Sequence, residues 1–197
     1  MTKLYRFLLI VLCLFQVSLF DVNAQKVLMK TDAGNIELEL YADKAPVSVV
    51  NFLKYVDEKL YDGTVFYRVV RMDNQPKNKV KIEVIQGGLN TDTTKRLLPI
   101  VHETTVKSGL KHVDGTLSMA RMGPGTASSE FFICINDQPE LDAGGLRNPD
   151  GQGFAAFGKV TKGMDIVRKI QSGETGENDK VQTLKHLVKI ITVRRIE

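Results

Sequence analysis

The chain has 197 residues, 43% of them hydrophobic and 25% charged, with no low-complexity tract and no collagen-like glycine period. This suits one globular domain with its own core and is too short for two ordinary ones. The 27 Lys and Arg against 23 Asp and Glu, a net charge of +4, are spread along the chain rather than gathered in runs, so solubility is expected and a nucleic-acid partner is not.

In chain order, Lys3 and Arg6 precede an apolar run from Phe7 to Val17, and Val22-Asn23-Ala24 stands before Gln25. That is the pattern of a secretory signal peptide over residues 1–24. A membrane helix needs about 20 apolar residues, whereas Gln16, Ser18 and Asp21 interrupt this run; an uncleaved anchor is the alternative. Cleavage removes Lys3, Arg6, Asp21 and Cys13, leaving residues 25–197 as an exported, periplasmic domain with Cys134 as its one cysteine and no stable insertion in a membrane. Cys134 lies in Phe131-Phe132-Ile133-Cys134-Ile135, an apolar setting that reads as core rather than nucleophile.

Val27 to Thr31 and Ile36 to Leu40, around Asp32-Ala33-Gly34-Asn35, predict a hairpin with one buried face. Pro46 opens a predicted helix carrying Val49, Phe52, Leu53, Val56 and Leu60 at helical spacing. Strands are predicted over Thr64–Val70, Val80–Ile85, Gly115–Ala120, Ser129–Ile135, Phe154–Val160 and Leu187–Ile196, and a short second helix over Gly163–Ile170. The polar stretch Arg71 to Lys79 is expected to protrude; Gly87–Gly109, Asp137–Gly153 and Gln171–Lys180 read as loops. Frequent strands with only two helices favour a mainly antiparallel β structure, and about eight strands permit closure into a barrel.

Gly153 to Lys159 approaches a phosphate-binding loop, but Val160 stands where Ser or Thr must follow. His102, His112 and His186 lack ligand-like spacing and read as surface or turn residues. Asn148 to Gly153 is a turn rather than a calcium loop, and runs such as Thr104-Thr105 and Ser128-Ser129 give no support for nucleophilic catalysis. No metal and no cofactor are expected.

Tyr61-Asp62-Gly63-Thr64, Phe66-Tyr67-Arg68-Val69, Gln86-Gly87-Gly88, Met119-Ala120, Gly123-Pro124, Ser129-Glu130-Phe131-Phe132-Ile133 and Phe157-Gly158-Lys159-Val160 follow one another in order. Together they resemble the cyclophilin family of peptidyl-prolyl cis-trans isomerases, over nearly the whole of residues 27–196. The resemblance implies a closed eight-stranded antiparallel barrel capped by two α-helices, with a substrate groove on its outer face. It implies a catalytic role for Arg68, a peptide-holding role for Gln86, backbone contact at Ala120, and a proline pocket of Phe132, Leu141 and Phe154. From the residues alone, Phe132 also reads as plain core and Arg68 as an exposed strand arginine.

Four departures from the family pattern stand out. Arg71 to Lys81 replaces a tight turn, and Glu83 and Val84 replace an aromatic and a methionine, so the pocket is either shallower or completed by the inserted loop. Tyr67 stands for a histidine. Glu130 stands for a glutamine beside the groove, where it would either orient Arg68 or compete with substrate for its donors. Glu140 stands for a tryptophan, which implies weak binding of cyclosporin. The expected partners are proline-containing polypeptides in unfolded or flexible segments, bound by a monomer; the alternative is a catalytically weak proline-peptide binding module or chaperone.

Overall fold

A computed structural model describes residues 25–197; the predicted signal segment lies outside the described residues. Eight strands close in the order β1-β2-β7-β5-β6-β4-β3-β8, every neighbouring pair antiparallel. They are β1 Gln25–Thr31, β2 Gly34–Leu40, β3 Val65–Val70, β4 Val84–Gly88, β5 Thr116–Met119, β6 Phe131–Cys134, β7 Ala155–Lys162 and β8 Thr183–Ile196. Closure leaves no exposed edge to template association.

Helix α1 spans Pro46–Asp57, a single turn α2 spans Thr105–Ser108, and α3 spans Met164–Gln171. Pro46 occupies the first turn of α1, but Ala45 offers no side-chain cap. The free N–H groups are met instead by Glu103, whose carboxylate accepts from Val47 N at 3.1 Å, Ser48 N at 2.8 Å and Ser48 Oγ at 2.7 Å. A negative charge there also complements the helix dipole.

The hairpin, the barrel and the two longer helices match expectation. Helix α1 stops short of Leu60, however, because the chain turns through Lys59 at φ 57°. The predicted strand Val80–Ile85 is displaced: β4 begins at Val84 and runs through Gln86-Gly87-Gly88. Ile82 is claimed by Gln75, whose Nε2 donates to Ile82 O at 2.8 Å and whose Oε1 accepts from Ile82 N at 3.2 Å, so the residues ahead of Val84 belong to the inserted loop. Gly87 fits the ladder because a Cβ would sit 2.9 Å from Phe66 Cδ1. Strand β8 starts four residues earlier than predicted, and α2 lies in a segment read as loop, capped by Thr104 Oγ1 accepting from Lys107 N at 3.3 Å.

Alternation along the strands splits the apolar residues into two clusters. Phe66, Phe131, Ile133 and Phe157 fill the barrel with Phe52 and Tyr61, and Phe131 meets Phe52 and Phe66 edge-on at 5.6 and 5.7 Å. Phe132 and Cys134 point the other way, into a buried cluster with Val70, Ile82, Val84 and Leu141 on the barrel's outer face. Cys134 is fully buried, as expected, and burial pushes its thiol well up.

Candidate active site

One row of cross-strand neighbours runs over the outer face: Arg68 on β3 faces Gln86 on β4, Gln86 faces Phe132 on β6, and Phe132 faces Ser118 on β5. A register shift between Phe66 and Arg68 leaves Tyr67 as an extra residue in β3. Such a bulge re-aims side chains, and here the consecutive residues Tyr67 and Arg68 both line one groove of about 430 Å³. All the side chains expected at a site, Arg68, Gln86, Ala120, Glu130, Phe132, Leu141 and Phe154, line this groove, and Ile82 and Val84 line it with them.

The polar side of the groove is a single hydrogen-bonded chain. Arg68 Nη1 donates to Gln86 Oε1 at 2.7 Å, Gln86 Nε2 donates to Tyr67 Oη at 2.6 Å, and Tyr67 Oη donates to Glu130 Oε2 at 2.7 Å. Burial, and then the Glu130 carboxylate, push the Tyr67 phenol up, so it remains a donor. Glu130 therefore reaches Arg68 only through Tyr67 and Gln86; its other oxygen accepts from Asn90 N at 3.1 Å and Ser129 Oγ at 3.0 Å. At the far edge of the guanidinium, Gln182 Oε1 accepts from Nε at 3.0 Å and Nη2 at 2.6 Å. Burial lowers the Arg68 pKa from its ordinary value, but a guanidinium keeps its proton in proteins.

The apolar side is a floor and a wall. Phe132 and Phe154 meet edge to face at 5.2 Å. Arg121, its guanidinium 5.2 Å from the Phe154 ring centre, reaches into the long loop after Leu141, with Nη1 and Nη2 on the two Asp150 oxygens at 2.8 and 2.9 Å. Ile82 and Val84 supply apolar surface from the insertion and the start of β4, so the loop completes the pocket wall. Glu83 turns away, accepting from Asn136 Nδ2 at 2.9 Å. Glu140 is likewise engaged by its own loop, accepting from Leu146 N at 2.8 Å.

His112 corrects a sequence expectation. It is buried rather than at the surface, its ring stacked on Phe132 at 6.0 Å and 16°. Its Nδ1 lies 2.8 Å from Asp142 Oδ1 and its Nε2 lies 2.9 Å from Ser118 Oγ. The trio has the connectivity of a serine nucleophile with its base and acid, but Ser118 is wholly buried and presents no oxygen to a substrate. Its role is to back Phe132. Nothing in the spacing of Ser118, His112 and Asp142 marks them as partners, since folding alone brings Asp142 across from the end of the short 3-10 turn Pro139–Leu141.

The family model described as cyclophilin type peptidyl-prolyl cis-trans isomerase/CLD matches residues 26–195. A peptidyl-prolyl cis-trans isomerase of Acinetobacter baylyi is 39% identical over 168 residues, 84% of this chain and 82% of its own length. Peptidyl-prolyl cis-trans isomerase A of Dickeya dadantii is 38% identical over 162 residues, 82% of this chain and 78% of its own. In three dimensions the chain is similar to a Cryptosporidium parvum cyclophilin type peptidyl-prolyl cis-trans isomerase crystallised in the presence of the dipeptide Ala-Pro. That likeness has a TM-score of 0.68 at 24% identity and covers 88% of this chain and 99% of the other; at that identity it speaks for the fold.

Proposed function

Because the chain belongs to the cyclophilin-type peptidyl-prolyl cis-trans isomerase family, we propose that it accelerates rotation about X–Pro bonds of extended or unfolded polypeptide segments, with Arg68 as the catalytic residue. The uncatalysed barrier, about 18–20 kcal/mol, comes from amide conjugation, and no covalent bond breaks. A donor that stabilises the twisted amide, in which the nitrogen lone pair is localised, lowers that barrier without any base. Arg68 is suited to this role because Gln86 and Gln182 hold three of its N–H groups, leaving one hydrogen on each of Nη1 and Nη2 for substrate.

The proline ring would sit against Phe132, Leu141, Phe154, Ile82 and Val84, a dry surface that strengthens the contact with the guanidinium beside it. Gln86 and Ala120 would meet the peptide backbone, and Glu130 would act on the substrate side only indirectly, through Tyr67. The observation that carries this reading is the placement of a pinned, charged donor at the rim of an apolar pocket. The binding-module alternative drew its motive from Glu83, Val84 and the insertion; with Glu83 turned away and Ile82 completing the wall, none of these removes the pocket.

The test is the cis-to-trans rate of an Ala-Pro-Phe peptide with the protein and its Arg68→Ala variant. Loss of one preorganised donor costs about 10²–10³-fold in such sites, so the variant should fall to near the uncatalysed rate while still binding peptide. A folded parent without acceleration would leave only the binding module. We further propose that the protein is exported to the periplasm, on the strength of Lys3, Arg6, the apolar run to Val17 and the small-residue ending at Ala24. N-terminal sequencing of protein recovered from the periplasmic fraction should begin at Gln25; an intact Met1 there would mean an uncleaved anchor.

A further inference from the structure

The guanidinium of Arg68 is held from two opposite edges, and only one of the two holders carries a signal in the sequence. Gln86 takes Nη1. The other edge, Nε and Nη2 together, is taken by one oxygen of Gln182, a residue 114 positions away that precedes β8. Gln182 is itself fixed at two further points. Its backbone oxygen accepts from Val69 N at 2.9 Å, next to Arg68 in β3. Its Nε2 donates to Asn74 O at 3.1 Å. Asn74, buried within the inserted loop, ties the same segment down by donating from Nδ2 to Val69 O at 3.0 Å and Val181 O at 3.2 Å, while its Oδ1 accepts from Arg71 N at 2.8 Å.

Resting on the reading of Arg68 as catalytic, we propose that Gln182 is a positioning residue for proline isomerisation: it sets the plane of the Arg68 guanidinium and directs the two free hydrogens at the groove. The side chain of arginine ends in several rotatable bonds, and a donor free to rotate loses most of its value at a developing charge. One acceptor at Gln86 leaves the plane free to swing about that contact; a second acceptor on the opposite edge removes the freedom. The amide is suited to the position because one end accepts from the cation while the other donates to the loop carbonyl. The inserted loop thereby acquires a part in catalysis, as the anchor of Gln182.

The experiment is a set of five proteins, each assayed for kcat and KM on the Ala-Pro-Phe peptide with thermal unfolding in parallel: parent, Gln182→Ala, Gln182→Glu, Arg68→Ala, and Gln182→Ala combined with Arg68→Ala. Losing a hydrogen bond to a charged group is worth about a factor of ten. Gln182→Ala should lower kcat by about tenfold, with KM within about twofold and the unfolding midpoint nearly unchanged. Gln182→Glu keeps the acceptor for the guanidinium and should restore most of kcat. In the Arg68→Ala background the second substitution should cost nothing further. In ¹⁵N spectra the Arg68 Nε–H, bonded to Gln182 Oε1, should be protected from exchange in the parent and in Gln182→Glu, and lose that protection in Gln182→Ala. An undiminished kcat in Gln182→Ala, or an equal loss with and without Arg68, overturns the proposal. Activity persisting in Arg68→Ala alone would instead overturn the underlying assignment of the catalytic arginine.

Discussion

At the residue scale, the groove works through side chains whose partners are remote in sequence. In the proposed function Arg68 and Phe132 are the two working surfaces, and each is backed by a hydrogen-bonded neighbour: Gln182 for the cation, His112 for the ring. His112 lies flat against Phe132 with both ring nitrogens engaged. Replacing it by alanine removes a buried ring, leaves Ser118 Oγ without its partner, and leaves Asp142 Oδ1 only the backbone N–H of residue 112. Cavity formation and lost hydrogen bonds each cost on the order of 1–3 kcal/mol, so His112→Ala should lose about 2–4 kcal/mol in a urea titration. Its KM for proline peptides should rise as Phe132 gains room to move. Unchanged stability would mean that the ring is not part of the packed floor. The sequence marked Phe132, through its neighbours Ser129, Phe131 and Ile133, but gave no sign of His112, because a lone histidine carries no periodicity and Asp142 stands in a segment legible only as loop.

At the scale of elements, legibility follows locality. The β1–β2 hairpin announces itself through alternation and a short turn, and α1 through its proline and apolar spacing, since both depend on residues within a few positions of one another. What stabilises α1 at its start does not: the Glu103 carboxylate comes from a stretch read as loop, 55 residues beyond Ser48. The same distinction explains the misplaced start of β4. Val80 to Ile85 has the composition of a strand, but the backbone of Ile82 is engaged by Gln75, and Arg147 from the other long loop donates to Gln75 Oε1 at 3.1 Å, so tertiary hydrogen bonding overrides local preference. The bulge at Tyr67 was equally invisible, although it is what turns Tyr67 and Arg68 to one side. Motifs placed the seven groove residues; only the folded chain shows that the insertion supplies Ile82 to the pocket and Asn74 to the arginine's support.

At the scale of the whole molecule, ion pairs fasten segments that the barrel ladder does not. Arg195 on β8 holds Asp57 at the end of α1, Arg194 holds Asp62 in the following turn, and Arg121 holds Asp150 in the loop beside Phe154. Hydrogen bonds from these arginines lower the carboxyls of Asp57 and Asp62 and take Asp150 down to about 2. A carboxyl depressed in the folded state contributes stability that is complete above its unfolded value, about 3.9, and is lost as pH falls toward the folded one. His102 adds an earlier step: burial lowers its pKa, so the unfolded chain takes up a proton first, and stability declines as pH falls through about 6.5. The urea midpoint should therefore be level above neutrality, begin to decline as pH falls through about 6.5, and fall more steeply below about pH 4. His102→Gln should erase the first step and leave the second. Because the arginine pairs are partly exposed, added salt should shrink the acid step by screening them. A midpoint that held constant down to pH 3 would show that these pairs are attached to the surface of the fold rather than fastening it.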